Sequence, residues 1–367
     1  MTLLLTTLFL SYINGANDNF KGVATLWGSG TTTYKGALKL ATVTTLLGSL
    51  GALFISTSLI SVFSGKGLVP DAIVNDPNFL ISVAAGAGVT VLVATLIGFP
   101  ISTTHSLTGA LVGAGFSAVG YQINLHHLEH SFLLPLLISP ILSIMLTFVL
   151  YPGFKFAREK WGMERKICFC TGNAGEPHPV SQEGAALLKI SSSTLTIGGE
   201  IECEEAHEHR ILSVDAQKLL TRSHYLSAGL VSFSRGLNDT PKIVALILGL
   251  NLLTPGWGII LVALIMALGA ILSAKKVAGV MSRGITTMDH TQGFSANIVT
   301  ALLVVFASRY GVPVSTTHVS CGALFGIGLA NREGKVRVMG EIVLAWLVTL
   351  PVSALAASAF FLIITSG

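Results

Sequence analysis

Asp18 and Asp239 lie in matching surroundings, Gly15-Ala16-Asn17-Asp18 and Gly236-Leu237-Asn238-Asp239. A second pair of motifs follows in the same order, Pro100-Ile101-Ser102-Thr103-Thr104-His105 and Pro313-Val314-Ser315-Thr316-Thr317-His318. A carboxylate beside an amide, with hydroxyl and carbonyl oxygens near, suits a hard cation such as Na+. The second motif suits the opposite charge. Its proline fixes the start of a helix and leaves Ser or Thr near the N-cap, with free N–H groups pointing forward as an anion site. Two such tips facing each other could hold a tetrahedral oxyanion, and phosphate is the natural guest. Lys21 and Lys242 recur three residues after each aspartate, close enough on a helix to pair with it or to reach the anion.

A single Gly-Asn-Asp is as readily a turn or a cap, and a single Ser-Thr-Thr is as readily glue between membrane helices. Repetition of both motifs, in order, favours a binding role. His105 and His318 are secondary candidates, as proton carriers, ligands or packing groups. Gln292, Ser295 and Asn297 could face the site from the second half. Ser82 matches Ser295, but Ala84 stands where Asn297 does, so that role would be asymmetric.

The elements that position these groups must be membrane helices. The chain has 367 residues, 51% hydrophobic and 11% charged, and a mean hydropathy of +0.73; soluble domains carry about twice that charge. Apolar runs at 36–62, 79–99, 101–120, 132–152, 242–274, 293–308, 314–330 and 340–365 include several of the roughly 20 residues that a crossing needs. The first 13 residues have no basic region ahead of them and no small-residue cleavage site after them, so a helix is expected and not a signal peptide. That apolar stretch is too short to span, which predicts a break at Asn17-Asp18. Freed backbone groups there must face protein, water or a ligand, and a carboxylate at such a place is a functional candidate.

Residues 1–153 and 223–367 are the two membrane repeats, and 154–222 is a polar insert between them. Each half reads as a broken Asn-Asp segment, a full span, a hairpin tipped by Ser-Thr-Thr-His and a closing span. That odd number of crossings per half implies opposite orientations in the membrane, the inverted-repeat design. Lys155, Arg158, Lys160, Arg165 and Lys166 at its edge place the insert in the cytoplasm. On the same side fall Lys275, Lys276, Arg283, Arg332, Lys335 and Arg337, with Lys66 the exception. The expected fold is an all-α polytopic membrane protein of two inverted-topology repeats with broken helices and helical hairpins, plus a small cytoplasmic insert. In that insert Cys168, Cys170, Cys203, His207 and His209 could assemble a zinc site. The spacing is not that of a standard finger, and the alternative is a small domain with reduced thiols. No nucleotide loop, nucleophile motif or nucleic-acid footprint is visible, so neither an enzyme nor a nucleic-acid binder is expected.

With both motifs present twice, the chain resembles the inorganic phosphate transporter (PiT) family of sodium- or proton-coupled phosphate symporters. The resemblance covers both membrane halves and leaves the insert aside. It implies a multi-pass protein of the plasma membrane, surrounded by lipid and paired as a homodimer, that carries phosphate with Na+ by alternating access. It implies Na+ ligands at Asp18, Asp239, Asn17, Asn238, Thr104 and Thr317. It implies phosphate ligands at Ser102, Thr103, Thr104, Ser315, Thr316, Thr317, Asn17 and Asn238. Many members of that family have Asn where this chain has Lys21 and Lys242. Proton coupling, or a related oxyanion such as sulfate, is the nearest alternative; a channel or a receptor is a more distant one.

Overall fold

In hydrocarbon a helix satisfies its own backbone hydrogen bonds, and the long apolar segments take that form. The computed structural model describes residues 1–160, 167–173, 193–199, 212–249 and 253–366. Its longer helices are α1 (Thr2–Asp18), α2 (Tyr34–Ile55), α3 (Pro77–Ile97), α4 (Thr103–Val119), α5 (Leu134–Lys160), α6 (Ala216–Leu248), α7 (Pro255–Ser273), α8 (His290–Arg309), α9 (Thr316–Asn331) and α10 (Val336–Ser366). Six stretches among the described residues are long and apolar enough to cross a membrane: Tyr34–Ile55, Pro77–Ile97, Leu125–Phe156, Pro255–Ser273, His290–Arg309 and Val336–Ser366. Helices α4 and α9, of 17 and 16 residues, fall short of that length.

The chain divides into two compact units, residues 1–151 with 224–367, and residues 152–223. Among the described residues of the larger unit the regular elements are helices, apart from an isolated bridge between Lys66 and Val69. The smaller one contains a three-stranded antiparallel sheet of β1 (Ile167–Asn173), β2 (Ser193–Gly199) and β3 (Leu212–Asp215) in the order β2-β1-β3. Cys168 pairs in register with Gly198 on one side and Asp215 on the other. Of the zinc candidates, Cys168 and Cys170 lie in β1, whereas Cys203, His207 and His209 lie outside the described residues.

Glycine decides how the helices of the larger unit pack. Lipid tails are as apolar as leucine, so helices associate where small residues let backbones approach. Gly15 of α1 backs onto the Met266 carbonyl of α7, and Gly236 of α6 backs onto the Thr45 carbonyl of α2. Gly269 of α7 meets the Tyr12 carbonyl, and Gly48 of α2 meets the Phe233 carbonyl. Residues 12, 15, 45 and 48 stand 221 positions before 233, 236, 266 and 269. These four contacts between the halves thus recur with the roles exchanged, as a twofold relation requires.

The closing helices interlock in the same way. Gly109 and Gly113 of α4 face the Leu350 and Ala354 carbonyls of α10, while Gly322 and Gly326 of α9 face those of Pro140 and Ile144 of α5. Ser353 donates to the Ser106 carbonyl and Ser143 to the Val319 carbonyl, both at 2.6 Å. Each half therefore closes over the other half's hairpin. In Gly269→Ala the added methyl meets a backbone oxygen that has no rotamer to escape into. The expected loss is about 1–3 kcal/mol, read as a lower midpoint in thermal unfolding of the solubilised protein. Gly256→Ala, where a methyl meets nothing within 4 Å, leaves the midpoint unchanged.

The predicted break forms in one copy only. Helix α1 ends at Asp18 and tightens into a 3-10 turn, Asn19–Gly22, before the short helix Ala24–Gly28. Phe20 stacks on Tyr34 with centroids 5.1 Å apart and meets Trp27 edge-on at 5.5 Å. Gly22 lies against Ser232 with no room for a side chain. These contacts draw the chain out of the helix. In the second copy α6 runs through Asn238-Asp239 with Pro241 inside it. Proline removes one hydrogen bond, to the carbonyl of Leu237, without ending the helix.

Candidate functional site

The two Ser-Thr-Thr tips have the same backbone. Ser102 caps α4 with φ −95 and ψ 113, and Ser315 caps α9 with φ −99 and ψ 117. Each hydroxyl accepts from the backbone N–H of the following histidine, at 3.0 Å from His105 and 3.2 Å from His318. The tips are joined across the halves: Thr317 donates to the Ile101 carbonyl at 2.9 Å, and Thr104 donates to the Val314 carbonyl at 3.3 Å.

Each lysine reaches into that junction. The Lys21 ammonium pairs with Asp18 Oδ1 and donates to Asn17 Oδ1 at 3.1 Å, the Ile101 carbonyl at 2.7 Å and Thr317 Oγ1 at 2.5 Å. The Lys242 ammonium lies 3.7 Å from Asp239 Oδ1 and donates to the Val314 carbonyl and Thr104 Oγ1, both at 2.8 Å. Both lysines thus touch their own half's aspartate and hairpin carbonyl, and the other half's third hydroxyl. Asp18 Oδ2 accepts from Thr103 at 2.9 Å and Asn14 at 3.1 Å. Asn17 donates to Thr95 Oγ1 at 2.9 Å and the Phe99 carbonyl at 3.1 Å. Asn238 donates to Asp239 Oδ1 and the Val314 carbonyl, both at 3.1 Å.

Arg235 joins this cluster, although neither motif contains it. It occupies the position in the second half that Asn14 has in the first, and it is 1% exposed. Its Nη2 donates to Asn14 Oδ1 at 2.6 Å and Nη1 to Asn19 Oδ1 at 3.1 Å, while Nε lies 3.5 Å from Asp239 Oδ2. Those last two atoms form no hydrogen bond. A charged side chain one residue ahead of the Gly-Leu-Asn-Asp motif, in a helix otherwise passing into apolar sequence, was the available signal for it.

Histidines aside, Asp18, Lys21, Arg235, Asp239 and Lys242 are the buried charged side chains among the described residues. All five belong to one cluster. Three cations face two carboxylates, leaving an excess of one positive charge that a buried site must compensate.

The other candidates lie around this centre or away from it. Thr316 is buried at the second tip. The rings of His105 and His318 are 4.1 Å apart, and His318 stacks on Trp346 at 3.9 Å. Gln292 forms the capping box of α8 with Asp289 and donates to Tyr151 at 3.2 Å. Ser295 donates to the Thr291 carbonyl at 2.7 Å; Asn297 donates to Thr25 at 3.0 Å and Ser227 at 3.2 Å. The hydrogen bonds of these last three side chains reach none of the five charged residues.

A family profile described as the phosphate transporter family matches residues 14–357. A protein of Pyrococcus abyssi that carries the provisional name phosphate permease is 26% identical, over 98% of this chain and 96% of its own length. The chloroplastic inorganic phosphate transporter 2-1 of Arabidopsis thaliana is 26% identical over 96% of this chain and 70% of its own. Among solved structures, one described as the sodium-dependent phosphate transporter superposes with a TM-score of 0.74 at 22% identity, covering 100% of both chains.

Proposed function

The chain belongs to the phosphate transporter family, and from that premise we propose that it is a secondary transporter carrying inorganic phosphate through a central site built by both halves. One observation carries this reading. The buried charges leave one positive charge in excess, between two helix N-termini that bear hydroxyls. A phosphate monoanion neutralises that excess, and the N-termini add favourable partial charge. Asp239 Oδ2 has no hydrogen-bond donor. A protonated phosphate can supply one and sulfate at neutral pH cannot, and a site with an unmet polar group discriminates strongly against a ligand that leaves it unmet.

The reciprocal contacts between the halves support inverted repeats and alternating access by rocking about the pseudo-twofold, and the basic residues at the edge of the insert in the sequence support its cytoplasmic placement. Na+ symport is supported by the name of the solved relative, and Asp18 and Asp239 would be its ligands. Proton coupling is the second reading, favoured because ammonium groups already fill the oxygens beside both aspartates.

Purified full-length protein in proteoliposomes tests the proposal with radiolabelled phosphate and with Na+ and H+ gradients imposed separately. Phosphate accumulates against its own gradient under at least one of them, and unlabelled sulfate competes weakly. Flux without accumulation would indicate a channel. Sulfate competing as well as phosphate would refute the assignment of substrate.

A further inference from the structure

A sodium ion bound by protein needs several oxygens converging on one point, and each Asn-Asp motif, together with the two hairpin tips, supplies them. The point is occupied by the chain itself. Around the Lys21 ammonium stand four oxygens, from Asp18, Asn17, Ile101 and Thr317, the last three at 3.1, 2.7 and 2.5 Å. Around Lys242 stand Asp239, Val314 and Thr104, at 3.7, 2.8 and 2.8 Å. The donors are a carboxylate, backbone carbonyls, hydroxyls and, in the first cage, an amide oxygen, all hard ligands. Both ammonium groups are buried and approach from the same position in the two repeats, three residues beyond the aspartate.

We propose that Lys21 and Lys242 are tethered cations that fill the two oxygen cages beside Asp18 and Asp239, so that this chain carries phosphate without drawing on Na+. The inference rests on the phosphate-transport reading above and changes its coupling. A Na+ ion entering either cage must share its oxygens with a fixed ammonium, and the two like charges repel in a medium that screens them poorly. Two Na+ ions would also raise the excess of the cluster from one positive charge to three, more than one phosphate can neutralise. The lysines already do what a bound cation would do at this place. They neutralise the carboxylates and hold Ile101 to Thr317 and Val314 to Thr104 across the halves.

Substituting asparagine withdraws the ammonium but leaves the cage and adds an amide oxygen. Thermal unfolding of the solubilised full-length protein in sodium chloride against potassium chloride reads cation binding without any need for phosphate, because a ligand of the native state raises its stability. The wild type unfolds at the same midpoint in both salts, and Lys21→Asn/Lys242→Asn unfolds several degrees higher in Na+. Should the double variant not fold, Lys242→Asn carries the same comparison. In proteoliposomes, wild-type phosphate uptake keeps its rate when choline replaces Na+.

A wild-type midpoint that rises with Na+, a variant indifferent to it, or wild-type uptake that falls about tenfold or more without Na+ overturns the proposal. A chain that moves no phosphate under any gradient sinks the transport reading instead, and the comparison of midpoints still decides this one.

Discussion

Asp18→Asn abolishes phosphate uptake and lowers stability by about 3–5 kcal/mol, the cost of leaving a buried charge without its partner. Asp18 Oδ1 holds the Lys21 ammonium, and Oδ2 holds Thr103 and Asn14 at 2.9 and 3.1 Å. An amide at this position keeps one acceptor oxygen, so either Lys21 or Thr103 meets an N–H where it needs an acceptor. It also raises the excess of the buried cluster from one positive charge to two. The double variant Asp18→Asn/Lys21→Met separates the two consequences. Replacing a whole buried pair by neutral groups is often close to neutral for stability, so most of the lost thermal midpoint returns. Uptake does not return, because the ammonium that ties Thr317 of the second half to Ile101 of the first is gone. Proteoliposome uptake and thermal unfolding, measured on the same preparations, check both halves of the claim. Uptake by Asp18→Asn within about twofold of the parent would show that the carboxylate is outside the transport machinery.

The parts of this site set by local geometry were readable from residue order. A proline two positions ahead of Ser102 and of Ser315 predicts capped helix starts, and both caps form. An aspartate and a lysine three apart predict ion pairs, and both form. The capping box of Asp289 and Gln292 is equally legible, being a box at the head of an apolar run, and it gives the Gln292 side chain a local partner. What could not be read is set at a distance. Arg235 is significant because it meets Asn14, and the two stand far apart in the chain at equivalent positions. Nor does the order of segments reveal that α5 closes over α9 and α10 over α4, since sequence neighbours are the usual first guess for spatial neighbours. The break at Asn17-Asp18 but not at Asn238-Asp239 has the same origin. Phe20 is drawn into an aromatic cluster that its counterpart Pro241 cannot join.

The matched geometry of the two lysine cages gives weight to the place where the halves differ. If the halves were chemically equal, two carboxylates and two lysines would leave the buried cluster neutral, and nothing in it would favour an anion. Arg235 alone creates the excess, at the position where the first half has Asn14. Arg235→Asn therefore restores the residue of the first half and removes the charge.

Because the first half already accommodates asparagine at the equivalent position, the fold should withstand this exchange better than an arbitrary truncation. Phosphate uptake is expected to fall about thirtyfold or more, in line with the 2–5 kcal/mol or so that loss of one partner in a buried, hydrogen-bonded charge pair costs. Most of the loss should appear as weaker apparent affinity, since the missing charge attracts phosphate before any movement of the halves. Arg235→Lys keeps the charge but loses the planar fork that spans Asn14, Asn19 and Asp239, so it falls between the two. Concentration dependence of uptake by the three proteins gives the ranking directly. Arg235→Asn with an unchanged apparent affinity would mean that the excess charge is not what draws phosphate to this site.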